Sequence, residues 1–215
     1  YKPLVKLLED PSKEVQVVAI EAAQLLKVND LIPHIIKKLK QKETRHKAIE
    51  ALSSYDPKEI VPELKTYLEY SPKYKDISIY VPRVFEMIAS QECADILIHN
   101  YEQAAPYLRT KILDSLAKMR WRVRDLRISP EITQQLIEAE LSEHQFFNQC
   151  LREIRPFEGI AILTEAIANV HHQILERLFK LLAFIYDSKI MLTVFHNLSG
   201  QEKRVQANAI EILDN

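Results

Sequence analysis

Apolar residues recur along the chain at the spacing of an amphipathic α-helix. In segment 31–39 they occupy relative positions 0, 1, 4, 5 and 8, and segment 190–198 repeats this spacing. Such positions lie on one face of a helix, so both segments predict helices that bury one side. The second helices of a repeated two-helix unit are predicted at 15–26 and 108–119. The positions that share the spacing are Leu31, Ile32, Ile35, Ile36 and Leu39, and Ile190, Met191, Val194, Phe195 and Leu198.

Two short sequences recur at one offset, which indicates an internal repeat. AIEA at 19–22 aligns with 48–51, and DLIP at 30–33 aligns with EIVP at 59–62, each shifted by 29 positions. Each repeat accommodates two helices, so we predict an all-α chain of about six or seven antiparallel helix pairs stacked into an α-α superhelix. An acidic residue recurs in the second helices, and we interpret it as a ladder of ion pairs between repeats. The alternative is a row of carboxylates that binds cations or partner helices. These residues are Glu21, Glu50, Glu86, Asp114, Glu176 and Glu211.

The chain contains only two glycines but ten prolines. Hairpin-rich β-proteins and phosphate-binding loops depend on glycine, so the composition disfavours both. We expect Gly200 to end a helix with a positive φ. Proline is tolerated in the first turn of a helix, so several prolines predict helix starts. These prolines follow Asp10, Asp56, Ser71, Ala105 and Ser129.

We predict one solenoid domain over residues 1–215. The repeat is regular over about 1–120 and about 158–215, whereas 121–157 does not align with it. Periodicity still predicts helices at 130–141 and 143–154 within that irregular segment. The sequence begins without methionine and ends inside an apolar-periodic segment. We therefore expect the chain to be a domain of a longer polypeptide.

Helix pairs at this period, an Asp-Pro opening and an AIEA second helix resemble HEAT repeats, particularly the short bacterial kind. Segments 175–187 and 204–215 are similar to the soluble HEAT-repeat region of bacterial membrane proteins related to ATP/ADP translocases and major-facilitator carriers. The resemblance implies a cytoplasmic scaffold that is tethered at the membrane by other parts of such a protein. It implies no transport activity for this domain.

The net charge of the chain is −1, from 29 basic and 30 acidic residues. Such a chain has no overall field that attracts nucleic acid or an anionic membrane. No apolar run approaches the roughly 20 residues of a membrane-spanning helix, so none is predicted. Cys93 and Cys150 form no CxxC motif, and we predict free buried thiols in a reducing compartment.

No pattern of reactive residues predicts catalysis. The adjacent His171 and His172 would point about 100° apart on a helix, which prevents them from binding one metal ion together. Each cysteine has a histidine six residues away. At this separation on a helix the two side chains do not face each other, so they cannot form a thiolate–imidazole pair. We therefore predict a non-enzymatic protein without a cofactor or metal site. The two cysteine–histidine pairs are Cys93 with His99 and Cys150 with His144.

Two basic segments are candidate contact surfaces. The first lies within 37–47 and brackets a predicted turn between helices. We call the second the arginine patch, and we predict that it contacts a partner. Arginine beside tryptophan can bind an acidic protein surface, lipid head groups or nucleic acid. The first segment contains Lys37, Lys38, Lys40, Lys42, Arg45, His46 and Lys47, and the arginine patch consists of Arg120, Trp121, Arg122, Arg124 and Arg127.

The sequence favours a scaffold that presents a rigid surface to a protein partner or to a neighbouring domain. The alternatives are a HEAT-like nucleic-acid-binding protein, which the near-neutral charge disfavours, and a HEAT-like lyase, for which catalytic spacing is missing. Both predicted ends of the solenoid, at 4–8 and 210–213, are apolar. We expect further chain or a second copy of the domain to cover these ends.

Overall fold

The computed structural model describes residues 1–68, 72–154, 159, 161–200, 204, 205, 207, 209 and 211. Every regular element among them is helical, which confirms the predicted all-α class. Residues 204, 205, 207, 209 and 211 are also helical. The α-helices with defined bounds are α1 (Lys2–Leu8), α2 (Lys13–Leu26), α3 (Ile32–Lys38), α4 (Lys42–Ser53), α5 (Pro57–Lys65), α6 (Lys75–Ser78), α7 (Val81–Ile88), α8 (Gln91–Tyr101), α9 (Pro106–Arg122), α10 (Pro130–Ile154), α11 (Ala161–Ile185) and α12 (Ser188–Ser199).

The chain divides into two compact units, Tyr1–Arg127 and Ile128–Asn215. We call them unit 1 and unit 2. The boundary between them falls inside segment 121–157, where the predicted repeat is irregular.

In unit 1, one series of helices packs in chain order. Helix α2 contacts α4, α4 contacts α7, and α7 contacts α9, while α1, α3 and α8 each pack against the helix of this series that follows them. Small side chains line the contact between α2 and α4. Ala19 and Ala23 on α2 and Ala48 and Ala51 on α4 are all buried. Alanine permits the axes of neighbouring helices to approach to about 8 Å.

Helix starts follow the proline prediction with one exception. Pro11 precedes α2 instead of opening it, because the hydroxyl of Ser12 accepts a hydrogen bond from the N–H of Val15 and caps the helix. Ser71 lies outside the described residues, and Pro72 begins a 3₁₀ turn, Pro72–Tyr74. The confirmed starts are Pro57 of α5, Pro106 of α9 and Pro130 of α10.

The prediction of a positive φ at Gly200 is wrong. Gly200 has φ −72° and ψ 167°, and its N–H donates to the carbonyl of Asn197 at 3.3 Å. This bond closes α12 without a left-handed residue. The left-handed helix caps are instead Lys27, with φ 51°, and Ala89, with φ 55°. Their N–H groups donate to carbonyls four residues earlier, at the ends of α2 and α7.

Unit 2 contains α10, α11 and α12, with α11 packed against both of the others. Helix α10 is one continuous helix, so the predicted division into 130–141 and 143–154 is wrong. Ser142 does not break it, because its hydroxyl donates to the carbonyl of Glu138 at 2.9 Å and the backbone stays helical. The apolar core of this unit contains Phe179 and Ala183 of α11, Met191 and Val194 of α12, and the helical residue Ala209 that follows them in the chain.

A buried ion pair joins α10 to α11. The side chains of Arg177 and Glu140 are 1% and 0% exposed. The Arg177 Nε atom lies 3.0 and 2.9 Å from the two Glu140 carboxylate oxygens, and its Nη2 atom lies 2.8 Å from Oε2. The Glu143 carboxylate is 3.7 Å from the same Nη2 atom. This bidentate geometry offsets the free-energy cost of removing both charges from water.

We predict that Arg177→Met destabilises unit 2 by about 3–5 kcal/mol, because it leaves the Glu140 carboxylate buried without its partner. Urea unfolding followed by circular dichroism measures the change. The double variant Glu140→Leu/Arg177→Met should recover most of the lost stability, since neither charge then remains buried. Arg152→Met, at an exposed position of α10, is the control and should change stability by less than about 0.5 kcal/mol. Equal stability of Arg177→Met and the wild type would contradict this prediction.

Candidate functional site

The arginine patch lies at the C-terminal end of unit 1. Arg120, Trp121 and Arg122 form the last turn of α9, Arg124 lies in the turn that follows, and Arg127 lies in the connection after it. All five residues are exposed, and Trp121 is 87% exposed. The structure therefore places every predicted contact residue on the surface, within one short segment.

Arg122 also has a structural contact. Its Nη1 atom donates to the backbone carbonyl of Glu86 at 3.2 Å. Glu86 lies in the last turn of α7, where carbonyl groups have no partner within the helix. Arg122 therefore caps α7 from α9, and its positive charge suits the negative end of the helix dipole.

Two further basic residues surround the Glu86 side chain. Glu86 is 3% exposed, and its carboxylate forms ion pairs with Arg83 and with Lys118, whose Nζ atom is 3.8 Å away. Sequence reasoning missed Arg83 and Lys118. The available signal was spacing, because Lys118 precedes Arg122 by four residues and so lies on the same face of α9. Together these residues extend the basic surface from α9 to α7.

The backbone at Arg127 is held by the side chain of Gln91, the first residue of α8. Gln91 accepts from the Arg127 N–H at 2.9 Å and donates to the Arg127 carbonyl at 2.8 Å. Neither bond uses the Arg127 guanidinium. The side chains of Arg124 and Arg127 form no ion pair with any described residue. These two guanidinium groups and the indole of Trp121 can therefore contact a partner.

The first basic segment does not form one surface. Lys38 is only 7% exposed, and its Nζ atom donates to Gln16 Oε1 at 3.3 Å. Burial lowers the pKa of Lys38. Lys47 lies between two of the repeated acidic residues, with its Nζ atom 3.1 Å from Glu21 and 3.3 Å from Glu50. Lys47 thus links α2 to α4, which is the structural role proposed for the acidic ladder.

Lys40, from the same segment, lines an open cleft of about 430 Å³ at the point where the starts of α4, α7 and α9 meet. Next to it, the Arg45 guanidinium lies 4.0 Å from the centre of the Tyr80 ring. The cleft therefore has lysine and tyrosine side chains, and one carboxylate offsets part of the positive charge. Its lining consists of Lys40, Lys75, Asp76, Ile79, Tyr80 and Tyr107.

The two cysteines are free thiols, with Cys93 buried and Cys150 half-buried. Burial raises the pKa of the Cys93 thiol. A thiol with a raised pKa stays protonated near neutral pH and is a poor nucleophile. Within the described part of the chain, no three His, Cys, Asp or Glu side chains are grouped closely enough to hold a metal ion.

Two histidines meet between α10 and α11. The ring centres of His144 and His171 are 4.1 Å apart, and the amide of Asn148 is 3.4 Å from His144 Nδ1. The neighbouring His172 ring instead packs 5.6 Å from Phe195, which confirms that the adjacent histidines point in different directions. Burial lowers the pKa of both His144 and His171, and the charge of a neighbouring histidine lowers each further.

No protein-family model matches the chain, and comparisons with curated proteins and with solved structures give no significant similarity. Among the described helices, none combines the length and the hydropathy needed to span a bilayer. The surface chemistry of unit 1 is therefore the basis for a functional proposal.

The contact of Arg122 with α7 predicts a difference between two neighbouring arginines. Arg122→Ala should destabilise unit 1 by about 1 kcal/mol, because the Glu86 carbonyl loses a charge-assisted hydrogen bond. Arg124→Ala is the matched control, and we expect it to change the free energy of unfolding by less than about 0.5 kcal/mol. Urea titration followed by circular dichroism measures both values. Equal effects of the two substitutions would show that the contact does not stabilise α7.

The histidine pair predicts that unit 2 loses stability in mild acid. Because His144 and His171 have lowered pKa values in the folded state, the unfolded chain binds protons more readily. The full stability is present above about pH 6.5, the usual pKa of histidine, and is lost as the pH falls from there through the lower folded-state values. Glu140 of the buried ion pair lies one turn from His144 on α10, and Arg177 lies six residues from His171 on α11.

Urea unfolding of unit 2, measured between about pH 8 and about pH 5, tests this prediction. The variant His144→Gln/His171→Gln should lose less stability over that range than the wild type. An equal loss in both proteins would assign the acid sensitivity to other groups.

Proposed function

We propose that this protein is a non-enzymatic helical-repeat scaffold that binds an acidic surface of a protein partner through the arginine patch. In this proposal the helices form a HEAT-like α-solenoid of about six or seven pairs. The ordered packing of α2, α4, α7 and α9 in unit 1 supports a stack in which each helix contacts its neighbours. The partner is a separate protein or a neighbouring domain of the same polypeptide.

The exposure of Trp121 is the observation that carries the proposal. An indole that is 87% exposed keeps a large apolar surface in water. A partner that covers this surface would gain roughly 25 cal/mol of binding free energy for each Å² removed from water. Tryptophan and arginine are typical anchors of protein interfaces. Arg124 and Arg127 follow this indole by three and six residues in the sequence. The patch therefore supplies one apolar anchor with positive charges around it, which suits an acidic protein surface.

A protein partner fits the patch better than a nucleic acid does. Binding of a phosphate backbone depends on many cations and few anions. Beside the patch, the carboxylate of Glu86 is already surrounded by Arg83 and Lys118, and the exposed Asp125 lies between Arg124 and Arg127 in the sequence. The net charge of −1 supplies no further attraction for a polyanion.

We further propose that the domain is the cytoplasmic portion of a larger bacterial protein associated with the membrane, as its resemblance to translocase-like proteins implies. The scaffold would then connect a membrane-embedded neighbour with a cytoplasmic partner. The motifs in segments 175–187 and 204–215 from which that resemblance is drawn are the ground for this location.

Fluorescence of Trp121, the only tryptophan of the chain, provides a direct test of the patch. An acidic peptide that also contains leucine should shift the Trp121 emission to shorter wavelength, and its binding should weaken as the salt concentration rises. Arg124→Glu/Arg127→Glu should weaken binding by about tenfold or more, because it reverses charges without touching the Arg122 cap. Arg152→Glu, at an exposed position of α10, should leave the affinity unchanged.

Two outcomes would reject the proposal. Equal affinity of the wild type and Arg124→Glu/Arg127→Glu would show that these arginines are not part of the binding surface. A single-stranded or double-stranded DNA oligonucleotide that binds more tightly than the peptide, with a steep dependence on salt, would assign the patch to nucleic acid instead.

A further inference from the structure

A cleft in unit 1 combines positive charge with aromatic rings. It has a volume of about 430 Å³ and lies where the segments that precede α4 and α7 meet the first turn of α9. Its lining includes the ammonium groups of Lys40 and Lys75 and the rings of Tyr80 and Tyr107. A cavity of this size accommodates a small organic molecule. We call it the lysine–tyrosine cleft.

Tyrosine rings hold two cations at the lysine–tyrosine cleft. The Lys75 Nζ atom lies 5.3 Å from the centre of the Tyr107 ring, and the Arg45 Cζ atom lies 4.0 Å from the centre of the Tyr80 ring. The Arg45 guanidinium also donates to two backbone carbonyls just after α3, at 2.9 and 3.2 Å. Rings and carbonyls attract a cation without cancelling its charge, unlike a carboxylate. These contacts therefore position two positive charges that an anion can approach.

Basic residues outnumber acidic ones in the segments that form the lysine–tyrosine cleft. Segments 40–45, 73–80 and 105–109 contain six basic and two acidic residues, a net charge of +4 in a chain whose net charge is −1. The next acidic residues along the chain, Glu69 and Glu102, would reduce this value to +2. Neither Lys40 nor Lys75 forms an ion pair with a described carboxylate. The local charge therefore favours an anionic ligand.

We propose that the lysine–tyrosine cleft binds a small phosphate monoester that carries a planar ring, of the class of the nucleoside monophosphates. The ammonium groups of Lys40 and Lys75 bind the phosphate, since lysine binds phosphate as a compact point charge. The planar ring packs against Tyr80 and Tyr107, because aromatic side chains provide flat apolar surfaces on which nucleobases stack. Ile79 adds a further apolar surface to the lining.

Asp76 determines which phosphate esters fit the cleft. Among the lining residues it is the one with a carboxylate, and it forms no ion pair with a described residue. A carboxylate repels a second anion but accepts hydrogen bonds from hydroxyl and amino groups. A ligand that suits the cleft therefore presents its phosphate to the lysines and neutral donors to Asp76. The ribose and the base of a nucleotide supply such donors, whereas phenyl phosphate has none.

Isothermal titration calorimetry of the full chain with GMP tests the site. We expect a Kd below about 1 mM and binding that weakens as the salt concentration rises. Guanosine lacks the phosphate and ribose 5-phosphate lacks the ring, so each should bind at least about tenfold more weakly than GMP. No binding of GMP at about 5 mM, or equal affinity for GMP and inorganic phosphate, would overturn the proposal.

Replacing the two lysines tests the position of the phosphate. Lys40→Gln/Lys75→Gln should weaken GMP binding by about tenfold or more, because both ammonium groups are lost. Lys58→Gln is the matched control, since Lys58 is exposed on α5 and does not line the cleft, and it should bind GMP like the wild type. Circular dichroism should show equal helix content for the three proteins. Equal GMP affinity of the double variant and the wild type would overturn the assignment of the phosphate to these lysines.

Asp76→Asn tests the selection among phosphate esters without removing a lysine. This change removes the repulsion of any phosphate but also weakens the hydrogen bonds that Asp76 accepts from a nucleotide. Phenyl phosphate should therefore bind more tightly than to the wild type, and the preference for GMP over phenyl phosphate should fall by about threefold or more. An unchanged preference would show that Asp76 does not select the ligand.

The lysine–tyrosine cleft does not rest on the proposed function, because it shares no residue with the arginine patch. Lys40→Gln/Lys75→Gln should bind the acidic peptide like the wild type, and Arg124→Glu/Arg127→Glu should still bind GMP. The two measurements separate failure of one site from failure of the other. A tenfold loss of GMP affinity in Arg124→Glu/Arg127→Glu, with none in Lys40→Gln/Lys75→Gln, would move the phosphate to the arginine patch and overturn the proposal.

Discussion

The inner helices of unit 1 have apolar residues that must be buried on more than one side, and the rest of the structure depends on this requirement. Helix α4 buries Ala48, Ile49, Ala51 and Leu52, and it contacts α2, α3 and α7. Helix α2 has the same kind of sequence but packs only against α1 and α4 among the major contacts of the described chain. Its remaining apolar side is therefore exposed. The same packing preference thus explains both the stacked helices and the exposed apolar side of α2.

Ion pairs and capping contacts fix how neighbouring helices align. Lys47 joins Glu21 on α2 to Glu50 on α4, and Arg122 joins α9 to the end of α7. Apolar packing alone tolerates several alignments of two helices, whereas a charged group must meet its partner at one position. The ion pair between Arg177 and Glu140 fixes the alignment of α10 and α11 in the same way.

These contacts also explain why the two basic segments differ in how many side chains remain available to a partner. In segment 37–47, basic side chains form contacts within unit 1. Lys38 is buried, and Lys47 forms an ion pair with Glu21. In the arginine patch, Arg122 donates a hydrogen bond to the end of α7, whereas Trp121 is exposed to solvent. A partner can therefore bind the patch without disturbing the contact that holds α9 to α7.

The sequence predicted the parts of the fold that depend on local patterns. The apolar spacing at 31–39 and the alanines at 19 and 48 predicted α3, α2 and α4, because helix periodicity is visible in a single segment. Proline predicted the start of α5 at Pro57 for the same reason.

Features that depend on distant residues were not predictable. Arg177 and Glu140 are 37 positions apart, and nothing in either segment indicates that they meet. Lys118 was missed for the same reason, since only the packing of α7 on α9 brings it to Glu86, whereas Arg83 lies three residues before Glu86 on α7 itself. The exposure of Leu25 also could not be predicted, because an apolar residue on a helix gives no sign of whether a neighbour covers it.

Amide hydrogen exchange of unit 1 tests most directly whether each helix is stabilised by the neighbours that cover it. Helix α4, which has neighbours on both sides, should exchange slowly. Helix α2, on which Val18 and Leu25 are exposed, should exchange faster than α4. Equal protection of α2 and α4 would contradict this explanation of the fold and of its exposed surface.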